Sequence, residues 1–166
     1  SAAGIRTLPC GNFGTALASI VLADTPLDVF TLEVSSFQLE LIDSFHPHVA
    51  VWMNFAEDHL DRHPDLNAYY RAKARIFENL SPDDFAVVNA AESYPDFPAR
   101  KITFSAWDQN ADWSLADGTI LRHGQPVLAM RDTRLRGRHN AENLMAAMAA
   151  CHAWGIPIPP LADSLK

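Results

Sequence analysis

Apolar and polar positions along the chain follow two regimes, which change near Arg100. Upstream, short near-continuous apolar runs alternate with stretches of helical period. Asp28–Val34 reads as a buried strand following a turn at Asp24-Thr-Pro26, and Val49–Phe55 and Phe85–Asn89 read the same way. Between them Ser35-Ser36 can cap a helix over Phe37–Asp43, which Pro47 closes off. Residues Asp65–Leu80 carry Leu66, Tyr69, Tyr70, Ile76, Phe77 and Leu80 at helical spacing. Downstream of Arg100, Lys101–Ser105, Asp112–Leu115, Thr119–Arg122 and Val127–Arg131 are short strands punctuated by Asp117-Gly118 and His123-Gly124. They predict a small antiparallel meander on one edge. Ala-rich Asn140–Trp154, stopped by Gly155 and Pro157, predicts a closely packed helix. The whole pattern predicts an α/β fold: a mostly parallel sheet with flanking helices plus a small antiparallel subsheet. In such sheets ligands gather at the carboxyl ends of the strands.

Composition narrows the function classes. A chain of 166 residues with 48% apolar content fits one globular domain. A formal charge of −7 argues against a nucleic-acid backbone or an anionic membrane surface as partner, though local cations, a metal or backbone amides can still hold a phosphate. Cys10 and Cys151 form no Cys-x-x-Cys pair and read as small buried hydrophobes of a reducing compartment, with a single disulfide left open. No run is long enough to span a bilayer and no signal segment occurs, so the expectation is a cytoplasmic chain with no obligate protein partner. The chain opens on Ser-Ala-Ala and stops inside a predicted helix, which points to a domain of a longer protein.

The candidate chemistry centres on Lys73. At about 100° per residue it projects near the middle of the apolar stripe of its helix, so it either snorkels to water or meets a partner. Just upstream, Asn54-Phe-Ala-Glu-Asp-His-Leu-Asp61 carries several potential metal ligands, whose acidic members could equally complement a helix dipole. Glu33 ends an apolar strand, as a solvated carboxylate or as a cation ligand. With His59 it forms an oxygen-rich set that suits Mg²⁺ or Mn²⁺ better than zinc. A neutral Lys73 amine beside a cation could take up CO₂ and bind the metal as a carbamate. Asn12 lies in the glycine loop Cys10-Gly-Asn-Phe-Gly14 before a helix near Thr15–Ala23, either a phosphate cradle or an ordinary turn. In Arg138-His-Asn-Ala-Glu-Asn143, Asn140 could cap the last helix, while Asn140 and Asn143 on one face could meet a base edge. No Gly-x-x-x-x-Gly-Lys-Ser/Thr loop occurs, nor Gly-x-Ser-x-Gly, and the lysines are Lys73, Lys101 and Lys166.

Five segments in order carry a resemblance: Cys10-Gly-Asn-Phe-Gly14, Glu33-Val-Ser-Ser-Phe-Gln-Leu-Glu40, Asn54-Phe-Ala-Glu-Asp-His-Leu-Asp61, Tyr70-Arg-Ala-Lys-Ala-Arg-Ile-Phe77 and Gly137-Arg-His-Asn-Ala-Glu-Asn143. Together they resemble the P-loop NTPase-like central domain of the Mur ligases. The Glu33–Glu40 run resembles most the D-glutamate-adding members of that family. The resemblance implies ATP as co-substrate, Mg²⁺ (or Mn²⁺), UDP-N-acetylmuramoyl-L-alanine and D-glutamate as partners, and an acyl-phosphate intermediate. It implies Glu33 on one metal ion, and His59 with carbamylated Lys73 on the second. Asn12, Ser35 and Gln38 would contact the UDP-sugar, and Asn140 and Asn143 the adenine nucleotide. It also implies that residues 1–166 are the ATP-binding domain cut before Ser1, without its P-loop and without the N-terminal UDP-binding and C-terminal domains, and inactive alone. The other readings are another Mur or folylpolyglutamate-type ligase domain, a non-catalytic UDP-sugar or partner-binding module, and a metal-dependent hydrolase.

Overall fold

The computed structural model describes residues 4–24, 26–57 and 61–166. Eight strands and five helices follow in the order β1 (Thr7–Gly11), α1 (Leu17–Leu22), β2 (Val29–Glu33), α2 (Ser36–Leu39), β3 (Val49–Trp52), α3 (Leu66–Ala74), β4 (Phe85–Asn89), β5 (Arg100–Ser105), β6 (Trp113–Ala116), β7 (Thr119–Arg122), β8 (Gln125–Ala129), α4 (Arg138–Ala153) and α5 (Ile158–Ser164). The strands form two sheets, a parallel pair β1-β2 and a six-stranded sheet β3-β4-β5-β6-β7-β8. Pairing is parallel from β3 to β6 and antiparallel from β6 to β8.

The α/β class with its antiparallel subsheet stands, but the meander is smaller than the turn signals predict. Lys101–Ser105 belongs to the parallel part, pairing with β4 along its length. β6 starts beside the end of β5, in parallel over only two residue pairs, which is why no crossover helix is needed. Asp112 fixes that offset: its Oδ2 accepts from the Thr103 amide at 2.8 Å and the Thr103 hydroxyl at 2.9 Å. The two hairpins that remain turn at Asp117-Gly118 (φ 47° and 73°) and His123-Gly124 (φ 46° and 77°). Positive φ at both central residues is the geometry that matches the right-handed strand twist.

Alternation along β4 divides the core between the two faces of the large sheet. Val87 faces α4 and α5, together with Phe104, Trp113, Ile120 and Leu128. Ala86 and Val88 face the other way, onto Phe77 and Leu80 after α3. α4 buries Ala141, Leu144, Met145, Met148 and Ala149, a 3–4 repeat along one face. Each fully buried large side chain of this set contributes roughly 1.5–3 kcal/mol. The β1-β2 unit is covered less completely: Leu8, Phe13, Val21, Leu22 and Phe30 are exposed.

Helix ends depart from the periodicity. α3 ends at Ala74 and tightens into a 3₁₀ turn over Arg75–Phe77; Leu66, its first residue, is exposed, and the buried positions are Tyr69, Ala72 and Phe77. α2 closes at Leu39, well before Asp43, because Arg75 caps it: Nη1 donates to the carbonyls of Leu39 (3.0 Å) and Glu40 (2.6 Å), and Nη2 to that of Ile42 (2.8 Å). α4 begins at Arg138 after Gly137, whose φ of 86° suits glycine, so Asn140 sits inside the first turn and not at the cap. Cys10 is buried, Cys151 half-buried, and both are free thiols.

Candidate functional site

Asn12 and Glu33 meet across the carboxyl ends of β1 and β2. The Asn12 amide donates to the Glu33 carbonyl at 2.8 Å, and its Nδ2 donates to Glu33 Oε1 at 3.0 Å. This approach depends on Gly11, paired with Glu33 in the sheet. At φ 102°, a Cβ on Gly11 would lie 2.3 Å from the Glu33 carbonyl oxygen. The loop is thus more than a generic turn. Its glycine lets one backbone press on the other so that an amide can orient a carboxylate.

Two residues further on, Ser35 caps α2 in a capping box, as the sequence predicts. Its Oγ accepts from the Gln38 amide at 3.3 Å, and Gln38 Oε1 accepts from the Ser35 amide at 2.9 Å and the Ser35 hydroxyl at 3.1 Å. Ser35 and Gln38 are therefore locked to each other directly behind Glu33. A residue that sequence reading missed supports them: His63, 2% exposed, places Nε2 3.0 Å from Ser36 Oγ. No periodic or motif signal marks a histidine in a loop as buried.

Lys73 is half-buried, not the centre of a closed apolar face; its Nζ lies 5.4 Å from the centroid of the Tyr69 ring. This is a cation–π position that keeps the amine partly desolvated while leaving it reachable. His59, together with Asp58, lies outside the described residues, so the metal set is visible only at Glu33 and Lys73. Among the described residues no three His, Cys, Asp or Glu side chains cluster closely enough to hold an ion. The donor chemistry still fits a hard divalent cation: Asn12 binds one Glu33 oxygen and the carboxylate stands at an exposed strand end. Phe55, at the start of the loop carrying His59, is anchored by its amide to Glu92 Oε2 at 3.1 Å, just past β4.

On the other face of the sheet, Glu142 Oε1 accepts from the Ala106 amide at 3.1 Å and ties the first turn of α4 to the carboxyl end of β5. Arg138 stacks on the exposed Trp107, 4.1 Å from the ring centroid. Asn140 Nδ2 donates to the Arg136 carbonyl at 2.8 Å, whereas Asn143 is exposed on the same helix. A cavity of about 380 Å³ opens beside this turn, lined by Leu115, Asp117, Gly118, Met130, Gly137 and Arg138. A second, of about 290 Å³, adjoins it along Thr119, Arg131 and Arg136. Asn12 and Glu33 thus stand at the carboxyl ends of the β1-β2 pair, while α3, which carries Lys73, and α4, which carries Asn140 and Asn143, pack on opposite faces of the large sheet.

Comparison with known proteins gives this chain a family. The chain is 40% identical over 161 residues to the UDP-N-acetylmuramoylalanine–D-glutamate ligase of Trichlorobacter lovleyi, covering 92% of this chain and 36% of the relative. It is 39% identical over 167 residues to the ligase of the same name in Desulfosudis oleivorans, covering 95% and 36%. The chain therefore spans a little over a third of the length of the curated relatives it matches. Among solved structures it resembles a UDP-N-acetylmuramoyl-L-alanyl-D-glutamate–2,6-diaminopimelate ligase, with TM-score 0.76 and 25% identity over 97% of this chain and 40% of that one. The fold also matches a MurF ligase from Thermotoga maritima solved with ADP, with TM-score 0.62 and 16% identity over 96% of this chain and 42% of that one. Residues 13–151 match the Mur ligase middle domain, and with a match of that extent the chain belongs to the Mur ligase family.

Proposed function

We propose that this chain is the central, ATP-binding domain of a ligase that joins D-glutamate to UDP-N-acetylmuramoyl-L-alanine in peptidoglycan precursor synthesis, in the cytoplasm. The observation that carries the reading is the Asn12–Glu33 pair set directly before the Ser35–Gln38 box at one strand edge. Identity near 40% to D-glutamate ligases along the same stretch supports it.

In the reaction, ATP gives its γ-phosphoryl group to the substrate carboxylate, leaving ADP and an acyl phosphate. The amine of D-glutamate then attacks the acyl carbon, forms the amide and expels phosphate. Glu33 would hold one Mg²⁺, and His59 with carbamylated Lys73 the other. When bound, the ions offset the charge spread over the transferring phosphoryl group. Asn12 keeps the Glu33 carboxylate aimed at the strand edge. Ser35 and Gln38 present a rigid corner to the UDP-sugar, and Asn140 and Asn143 offer amide donors and acceptors to the adenine edge.

None of the 166 residues forms a Gly-x-x-x-x-Gly-Lys-Ser/Thr cradle, so the segment by itself is not expected to ligate. The phosphate cradle and the flanking substrate-binding domains would come from chain beyond it. The test is genetic. A chimera carrying residues 13–151 in place of the matching segment of the Trichlorobacter lovleyi ligase is expected to sustain growth of a bacterium depleted of its own D-glutamate ligase. Full-length, soluble chimera without growth would contradict the reading.

A further inference from the structure

We propose that His63 is a positioning residue that locks the Ser35–Gln38 corner to the helix bearing Lys73; the inference rests on the ligase reading for what those residues serve. His63 Nε2 lies 3.0 Å from Ser36 Oγ, and Nδ1 lies 3.4 Å from Glu40 Oε1. Ser36 and Glu40 sit at the start and just past the end of α2, so one imidazole grips both ends of its exposed-to-buried edge. The Nε2 contact with Ser36 Oγ is a hydrogen bond, and Nδ1 faces the Glu40 carboxylate at ion-pair distance.

The ring is also the middle of a stack that crosses between the two helices. It lies face to face with Phe37 of α2 at 5.7 Å and against Tyr69 of α3 at 5.2 Å. The outer faces of that stack are cationic: Arg62 lies 5.7 Å from the Phe37 centroid, and Lys73 Nζ lies 5.4 Å from that of Tyr69. Arg62 also pairs with Glu40 at 2.8 Å. The column Arg62–Phe37–His63–Tyr69–Lys73 therefore runs without a break from the substrate corner to the candidate metal-ligating amine.

Ser36, His63 and Glu40 follow the order of a nucleophilic relay. Ser36 and His63 are, however, 3% and 2% exposed, and neither cavity described above is lined by them, so no substrate reaches the hydroxyl. What the geometry points to is mechanical. Arg75 already pins the far end of α2 through three carbonyls. With that end as pivot, His63 fixes the swing of the near end, where Ser35 caps the helix and holds Gln38 through the capping box.

The test uses the ¹⁵N-labelled 166-residue chain and relaxation dispersion, which reads μs–ms motion. His63→Phe keeps the stacked ring but removes both nitrogens. It is expected to add an exchange contribution at least threefold above the native one to amides 35–40, with the α3 amides 66–74 unchanged. Ser36→Ala and Glu40→Gln, which spare the ring, should each give part of that effect. His63→Gln, whose amide reaches the Nε2 position, should recover the part of the native profile that the Ser36 contact supplies, and so fall between the native chain and His63→Phe. Flat amides 35–40 in His63→Phe, or equal broadening of α3, would overturn the proposal and leave a space-filling ring. Because this measurement needs no ligand, it decides the proposal even if the chimera above fails to ligate, and a failed proposal leaves the ligase reading standing.

Discussion

Asn12 holds Glu33 from two sides, its backbone amide 2.8 Å from the Glu33 carbonyl and its side-chain Nδ2 3.0 Å from Oε1. A carboxylate so held loses less freedom when it takes a metal ion, and partners of this kind typically carry about 10- to 100-fold in affinity. Asn12→Ala is therefore expected to weaken Mn²⁺ binding to the chain about tenfold in a calorimetric titration, without lowering its Tm by more than a few degrees. An unchanged affinity would show that Asn12 does not orient the carboxylate.

Lys73 gives a second prediction. Its amine lies half-buried against Tyr69 and remains reachable from solvent, so CO₂ can meet it there. Chain equilibrated with ¹³C-bicarbonate and Mg²⁺ is expected to show one protein-bound carbamate carbon by NMR. The signal should vanish in Lys73→Arg. Its absence in the native chain would remove Lys73 from the metal set.

Acid stability should be governed in part by a cluster far from the proposed site. Asp84 is buried before β4 and accepts from His46 at 2.5 Å, His48 at 3.1 Å, and the Ser81 hydroxyl and amide, both at 2.7 Å. Burial alone would raise its carboxyl pKa, but the bonds from His46, Ser81 and His48 together hold it well below the usual carboxylate range. The folded value is thus depressed, so its contribution is complete above the unfolded value near 4 and is lost as the pH falls below it. Asp84→Asn is expected to cost about 2 kcal/mol near neutral pH and to flatten the acid limb of a urea-stability profile. A parallel loss of stability with acid in both proteins would contradict this.

A buried indole supplies a second stability test. Trp52 Nε1 has no hydrogen-bond partner among the described residues, although the ring packs against Phe55, Tyr70 and Phe77. Trp52→Phe removes the unsatisfied donor along with some contact, so thermal unfolding should move by less than about 1 kcal/mol. Trp52→Ala, which leaves a cavity, should cost about 3–5 kcal/mol.

Much of this was legible from the residues. Near-continuous apolar runs marked β2, β3 and β4, and Ser35-Ser36 marked the cap of the helix that follows β2. Other features depend on partners distant in sequence. Arg75 reads as a polar position on a helix, yet it ends α2 across a gap of more than thirty residues. His63 reads as one more loop histidine until Ser36, Glu40 and two aromatic rings close around it. The parallel placement of β5 was hidden because β6 follows after a short loop, which by length alone suggests a hairpin. The split into two sheets was hidden as well, since an apolar run does not name its neighbour.

The most direct test of the central claim is the choice of amino acid made by the purified chimera carrying residues 13–151. Phosphate release and amide formation would be followed with ATP, UDP-N-acetylmuramoyl-L-alanine and either D-glutamate or meso-diaminopimelate, the second chosen because a diaminopimelate ligase shares the fold with TM-score 0.76. The account predicts ATP-dependent product with D-glutamate alone, and none from the 166-residue chain without the chimera's remaining domains. Product with diaminopimelate in place of D-glutamate, or a folded chimera that makes neither, would contradict it.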